Sequence, residues 1–143
     1  MASRLEPGPE QRDVSRTTYA IGAFNYNQLA AVVARPAGIT ENLGAPVNTP
    51  RPEYYPSIAS DGTLYFSSNH EGKPGAFDLF RSKLVDGKYT EPENLGPNVN
   101  GPGPEIDNYI APEQSYIIFN ASGRPDDLGR GDLYISYNEN GQW

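Results

Sequence analysis

The chain has 143 residues, 36% of them hydrophobic, and its 18 acidic against 11 basic side chains give a net charge of −7. Only three of the acidic side chains lie in 1–40, so the acidity belongs to 41–143, a body that repels phosphate backbones and argues against a nucleic-acid partner. The absence of cysteine excludes disulfides, thiolate nucleophiles and Cys-type zinc sites, and no apolar run approaches the ~20 residues of a membrane-spanning helix or the core of a signal peptide.

Residues 1–16 are polar and are expected to be disordered, leaving 17–143 as the folded domain. Thr18–Phe24 and Gln28–Ala34 are predicted strands, with a short helix at Ala30–Ala34 as the alternative. Gly38–Leu43 then supplies an outer strand to this degenerate first unit. Beyond it the chain repeats itself. Glu41-Asn42-Leu43-Gly44 recurs as Glu93-Asn94-Leu95-Gly96, and Val47-Asn48, Glu53 and Ile58-Ala59 recur as Val99-Asn100, Glu105 and Ile110-Ala111, all 52 residues on. Phe66 returns as Phe119 after one slip. Asp78-Leu79-Phe80 returns as Asp132-Leu133-Tyr134 after a second, with Gly87 and Tyr89 answered by Gly141 and Trp143.

Each repeat, about 41–92 and 93–143, reads as four short strands. In the first they are Tyr55–Ala59, Thr63–Ser67, Phe77–Leu84 and Lys88–Leu95, with Ser60-Asp61-Gly62 and Asp86-Gly87 as turns. The second has Asn108–Ala111, Ser115–Asn120 and Gly131–Tyr137, and Ala111-Pro112-Glu113-Gln114 in place of the Asp-Gly turn predicts a different hairpin there. A four-stranded repeat of about 50 residues cannot cover its own apolar faces and so predicts an all-β, propeller-type stack of blades. Leu64, Phe66, Ile117 and Phe119 are the side chains expected between blades. Two clear units fall short of the four to eight of a closed propeller. The expectation is therefore a fragment, an open stack, or copies that close together, with Gly38–Leu43 of another copy or a further segment pairing along Leu133–Tyr137.

At Asn42-Leu43-Gly44, Val47-Asn48-Thr49, Glu53, Ala59-Ser60-Asp61-Gly62, Leu64-Tyr65-Phe66-Ser67-Ser68-Asn69, Gly72–Gly75 and Asp78-Leu79-Phe80, the chain resembles the WD40-like propeller repeat family called PD40, related to the propeller of TolB. The resemblance spans about 41–143. It implies propeller blades, a periplasmic or extracellular bacterial setting, protein or carbohydrate partners with room for homo-oligomers, and no family-wide catalytic residues.

The candidate ligand-binding residues are Asn48, Glu53, Tyr54, His70, Asn100, Glu105, Asp107 and Arg124. They belong to loops 44–54, 69–76, 96–107 and 121–130, which are expected to converge on one face, where function concentrates. Tyr55, Tyr109 and Trp143 are further rings able to stack on sugars or peptides, although Tyr55 and Tyr109 are out of phase within the repeat. Repetition favours Glu53 and Glu105 as loop braces, and Asp78 and Asp132 as turn acceptors. Asp126-Asp127 lacks the spacing of a calcium loop, and the single His70 excludes a His cluster. No cofactor or metal is expected. A binding or scaffold module is the leading expectation. A glycoside hydrolase or polysaccharide lyase using the loop carboxylates is the alternative.

Overall fold

The computed structural model of the chain describes residues 40–69 and 77–143. The segment expected to be disordered, the strands or helix expected in 17–39, and His70 lie outside these residues. Thr40–Leu43, the described part of the expected outer strand, forms no strand. The described residues are all-β, without a helix.

The first repeat contains β1 (Glu53–Ile58), β2 (Leu64–Ser68) and β3 (Asp78–Ser82), a small hairpin of β4 (Leu84–Val85) and β5 (Lys88–Tyr89), and β6 (Glu93–Asn94). An antiparallel sheet runs in the order β1-β2-β3-β6. The continuous last strand expected over Lys88–Leu95 is broken. The chain turns at Asp86-Gly87 in the β4–β5 hairpin, and Pro92, which has no N–H for a ladder, lies in the break between β5 and β6. The second repeat holds β7 (Glu105–Ile110), β8 (Tyr116–Ala121) and β9 (Asp132–Tyr137), an antiparallel sheet in that order.

Positive backbone angles follow the repeat. Asp86 and Gly87 (φ 50° and 76°) have counterparts in Asn140 and Gly141 (φ 56° and 88°), and the β4–β5 hairpin has its counterpart in the Glu139–Gln142 bridge. The first β-hairpin turns at Gly62 (φ 86°), with Thr63 N–H donating to Asp61 Oδ1. A side chain there would be strained and would also meet Leu84 at 3.1 Å. In the second hairpin Gln114 adopts the same left-handed conformation (φ 61°). Closure runs from Ala111 N–H to Tyr116 C=O, where the first closes from Ala59 N–H to Thr63 C=O. The second hairpin is thus one residue longer, which accounts for the first slip in the repeat.

The two sheets pack face to face, with β7 lying across β1, β2 and β3. Between them Tyr65, Leu79, Leu95 and Val99 meet Ile110, Ile117, Phe119 and Ala121, and Trp143 sets its edge against the Tyr65 ring. Full burial of such side chains contributes roughly 1.5–3 kcal/mol each. Ile117 and Phe119 therefore lie between the sheets as expected, but Leu64 and Phe66 do not. They are buried on the opposite face of the first sheet with Val47 and Phe80. The period of two explains the difference, because on β2 it is Tyr65 that points toward the second sheet.

Candidate functional site

The links that enter β1 and β7 are built alike. Asn42 Oδ1 accepts from Gly44 N–H (2.7 Å) and Asn48 Nδ2 (2.8 Å). Asn94 Oδ1 accepts from Gly96 N–H (2.8 Å) and Asn100 Nδ2 (2.8 Å). Asn48 N–H and Asn100 N–H each close on the glycine carbonyl four residues back. Each link ends in a glutamate that binds back to it. Glu53 Oε1 accepts from Thr49 N–H and hydroxyl, and Glu105 Oε1 accepts from Gly101 N–H at 2.9 Å.

The two glutamates part company in their last contact. Gly101 has no side chain where Thr49 has one, and Arg124 fills the space, its Nη2 2.8 Å from Glu105 Oε1 and also donating to the Val99 carbonyl. The guanidinium lies over the Tyr134 ring at 4.6 Å and the Phe119 ring at 5.4 Å. Burial pushes the Glu105 carboxyl above its ordinary range, and the bonds from Arg124 and Gly101 oppose that rise. Glu105 is fully buried and Arg124 partly so. Both are candidate ligand residues of the sequence analysis, and the structure places them against each other. Their charges are spent on each other and on the loop.

Asn100 is likewise structural. Its Oδ1 accepts from Leu79 N–H (2.8 Å) and its Nδ2 donates to Leu79 C=O (3.0 Å), so one side chain grips both groups of a strand residue. Loops 96–107 and 121–130 do come together. Ser122 N–H donates to Pro104 C=O, and a side chain at Gly103 would stand 1.9 Å from Ser122 O. For the first repeat 70–76 lies outside the described residues. Asp127 accepts from Arg124 N–H and the Tyr134 hydroxyl, and Asp132 accepts from Leu128 N–H, a local turn as expected. Asp78 instead accepts from Asn94 Nδ2, across the sheet. Among the described residues no three His, Asp or Glu side chains gather to hold a metal ion.

Among the described residues an exposed ledge lies along β1 and β7, each the first strand of its sheet. β1 and β7 each carry a bulge, between Tyr54 and Ser57 and between Ile106 and Tyr109. The bulged residues Tyr55 and Asp107 are repeat equivalents, and both stand at φ 54°. A β-bulge re-aims its side chain, and a left-handed non-glycine residue costs of order 1–3 kcal/mol unless its surroundings hold it there. They do so here: Asn108 Nδ2 donates to the Tyr55 carbonyl (2.7 Å) and Ile110 N–H to Ser57 Oγ (3.1 Å), stitching β7 to β1. The result presents Tyr54, Tyr55 and Tyr109 about half-exposed beside exposed Asp107. Tyr54 contacts Tyr55 (5.9 Å) and Phe77 (5.5 Å), and Tyr109 contacts Tyr116 (6.4 Å), so the rings form two groups rather than one platform.

The sequence reading named Tyr54 and Asp107 but not the bulges that aim them. The only local trace was a tyrosine and an aspartate at one repeat position, neither a strand-ladder residue. An open groove of about 370 Å³ at the opposite rim is lined by Arg81, Asn94, Asn98 and Trp143. Asn98 Nδ2 donates to the Trp143 carbonyl there. No protein-family model matches the chain, and no curated protein matches it.

Proposed function

We propose that the chain is a non-enzymatic binding or scaffold module of the propeller-repeat type its sequence resembles. It works in the bacterial periplasm or outside the cell, and it engages a glycan or protein through the ledge along β1 and β7. The observation that carries this reading is the matched pair of strained bulges at Tyr55 and Asp107. Strain kept at one position in both repeats, with exposed rings and a carboxylate beside it, fits a surface kept for contact rather than for packing. Tyrosine offers an apolar face and a polar tip, the combination that suits sugar rings and peptide backbones. The buried Glu105–Arg124 pair supports the same reading against the hydrolase alternative, because a sealed carboxylate cannot reach a glycosidic bond.

The test is a screen of glycan and peptide libraries with the intact chain and with Tyr54→Ala and Tyr109→Ala. Binding should weaken at least tenfold, roughly 1.4 kcal/mol, while exposed sites change stability by no more than about 0.5 kcal/mol. Polysaccharide turnover abolished by Glu53→Gln would overturn the proposal in favour of the enzyme.

A further inference from the structure

The link that leads into each repeat ends at a preformed clamp, and the two clamps differ in what they hold. In 94–100 the clamp closes on the outer edge of β3. Leu95 N–H and Asn100 Nδ2 donate to the Leu79 carbonyl, Asn100 Oδ1 accepts from Leu79 N–H, and Leu95 is buried against Leu79. In 42–48 the same internal hydrogen bonds are in place. Among the described residues, however, Asn48 Oδ1 accepts nothing, and Leu43, the equivalent of buried Leu95, is 51% exposed.

The missing half lies at the other end of the molecule. Leu133 on β9 is the repeat equivalent of Leu79, and it is 75% exposed where Leu79 is fully buried. It holds the same register in its sheet, opposite Asn120 on β8 as Leu79 is opposite Ser67 on β2. Its backbone N–H and C=O therefore point to the outer edge, as those of Leu79 do. Among the described residues β9 has β8 as its one strand neighbour. Among the described residues the clamp at 42–48 holds no strand and the outer edge of β9 is unclamped, each cut to the pattern of the contact between 94–100 and β3.

We propose that a second copy of this chain docks head to tail, its segment 41–43 adding as a fourth strand beside β9 and its Asn48 gripping the Leu133 backbone. The register follows from β3 and β6, where Phe80 faces Asn94 and Arg81 faces Glu93. Asn42 of the incoming copy then lies opposite Tyr134, and Glu41 opposite Ile135. Leu43 and Leu133 then lie side by side, as Leu95 and Leu79 do. The core of Val47, Leu64, Phe66 and Phe80 is already closed, so the contact is an edge pairing and leaves that core shut. Because the two surfaces differ, the interface is heterologous, and successive copies make a ring if the rotation closes and a filament if it does not.

The chain lacks cysteine, which permits a clean cross-linking test. Directly opposed antiparallel residues hold their Cα atoms about 4.5–5.5 Å apart, within the Cα separation that a disulfide spans. Mixing full-length Glu41→Cys chains with Ile135→Cys chains under mild oxidation should give a covalent dimer that neither forms alone. Sedimentation velocity should show the unmodified chain at twice its own mass or more. Asn48→Ala and Leu133→Asp should each return it to monomer, the first while still unfolding in one cooperative transition. A wild-type chain that stays monomeric at all concentrations would overturn the proposal. So would Ile135→Cys linking to itself, which means β9 pairs edge to edge. A Glu41→Cys/Ile135→Cys double variant linking within one chain would overturn it too, since the chain's own head would then fill the edge.

Discussion

The two sheets share a sequence pattern and differ in how they are covered. Every residue of β2 is buried, so the first sheet is enclosed on both faces. On β8 the buried residues are Ile117, Phe119 and Ala121, and on β9 Leu133, Ile135 and Tyr137 point outward. A strand buried on both sides reads as a continuous apolar run, and one buried on a single side alternates. Yet Leu64-Tyr65-Phe66 and Ile117-Ile118-Phe119 look alike. The comparison teaches that a repeat fixes the shape of each unit but not its neighbours. Burial comes from what lies on either side.

The largest difference open to experiment is the brace on the glutamate. Removing one member of a buried ion pair leaves the other charge uncompensated and typically costs about 3–5 kcal/mol. Arg124→Ala also removes the cation stacked on Phe119 and Tyr134. We expect a loss in that range by urea denaturation. In the first repeat the corresponding brace is the Thr49 hydroxyl, and Thr49→Ala should cost about 1 kcal/mol, the ordinary worth of a hydrogen bond. Equal losses at the two sites would mean that the Glu105–Arg124 pair adds nothing beyond a neutral bond.

Next in size is the clamp. Asn100 makes three side-chain hydrogen bonds, two of them to Leu79, whereas Asn48 makes one. At about 1 kcal/mol for each bond, Asn100→Ala should lower stability by roughly 2–3 kcal/mol and Asn48→Ala by no more than about 1 kcal/mol. Measuring both at low protein concentration keeps any contact between copies out of the comparison. If Asn48→Ala is as costly as Asn100→Ala there, the first clamp is already engaged within its own chain.

These contrasts also show what was legible in the sequence. The all-β class, the turns at Ser60-Asp61-Gly62, Asp86-Gly87 and Ala111–Gln114, and the equivalence of Glu53 and Glu105 could be read from Gly, Asp and aromatic spacing, because turn chemistry and a period of two are local. The part of Glu105 as a loop brace could be read from the repeat, but its ion pair could not. It depends on Arg124, 19 residues away, and on the missing side chain at Gly101, and neither acts locally. The last strand of the first repeat is shorter than expected because the run from Lys88 to Leu95 contains Pro92, which cannot donate to a ladder. The tyrosine ledge was half visible: exposure of Tyr54 follows from its neighbours, but the left-handed Tyr55 and Asp107 follow from β7 packing on β1.

The finest contrast is between the two hairpin turns. Gly62 takes its left-handed angle freely, while Gln114 takes the same angle against the preference of an L residue, of order 1–2 kcal/mol. What holds it is a chain of side-chain bonds between the sheets: the Tyr65 hydroxyl donates to Gln114 Oε1 (2.8 Å), and Gln114 Nε2 donates to Asp61 Oδ2 (2.8 Å). Gln114→Gly therefore relieves backbone strain and deletes two bonds of about 1 kcal/mol each, so the changes nearly cancel and the midpoint should move by less than about 1 kcal/mol. Tyr65→Phe removes one of those bonds while leaving the strain and the ring packed against Trp143, and should cost about 1 kcal/mol. Combining the two substitutions separates the contributions. Once Gln114 is gone, the Tyr65 hydroxyl keeps only its interaction with Arg81 on β3, so Tyr65→Phe should cost less than it does in the intact turn. A full additive loss would show that the hydroxyl is held elsewhere and that Gln114 keeps its angle for a reason other than this bridge.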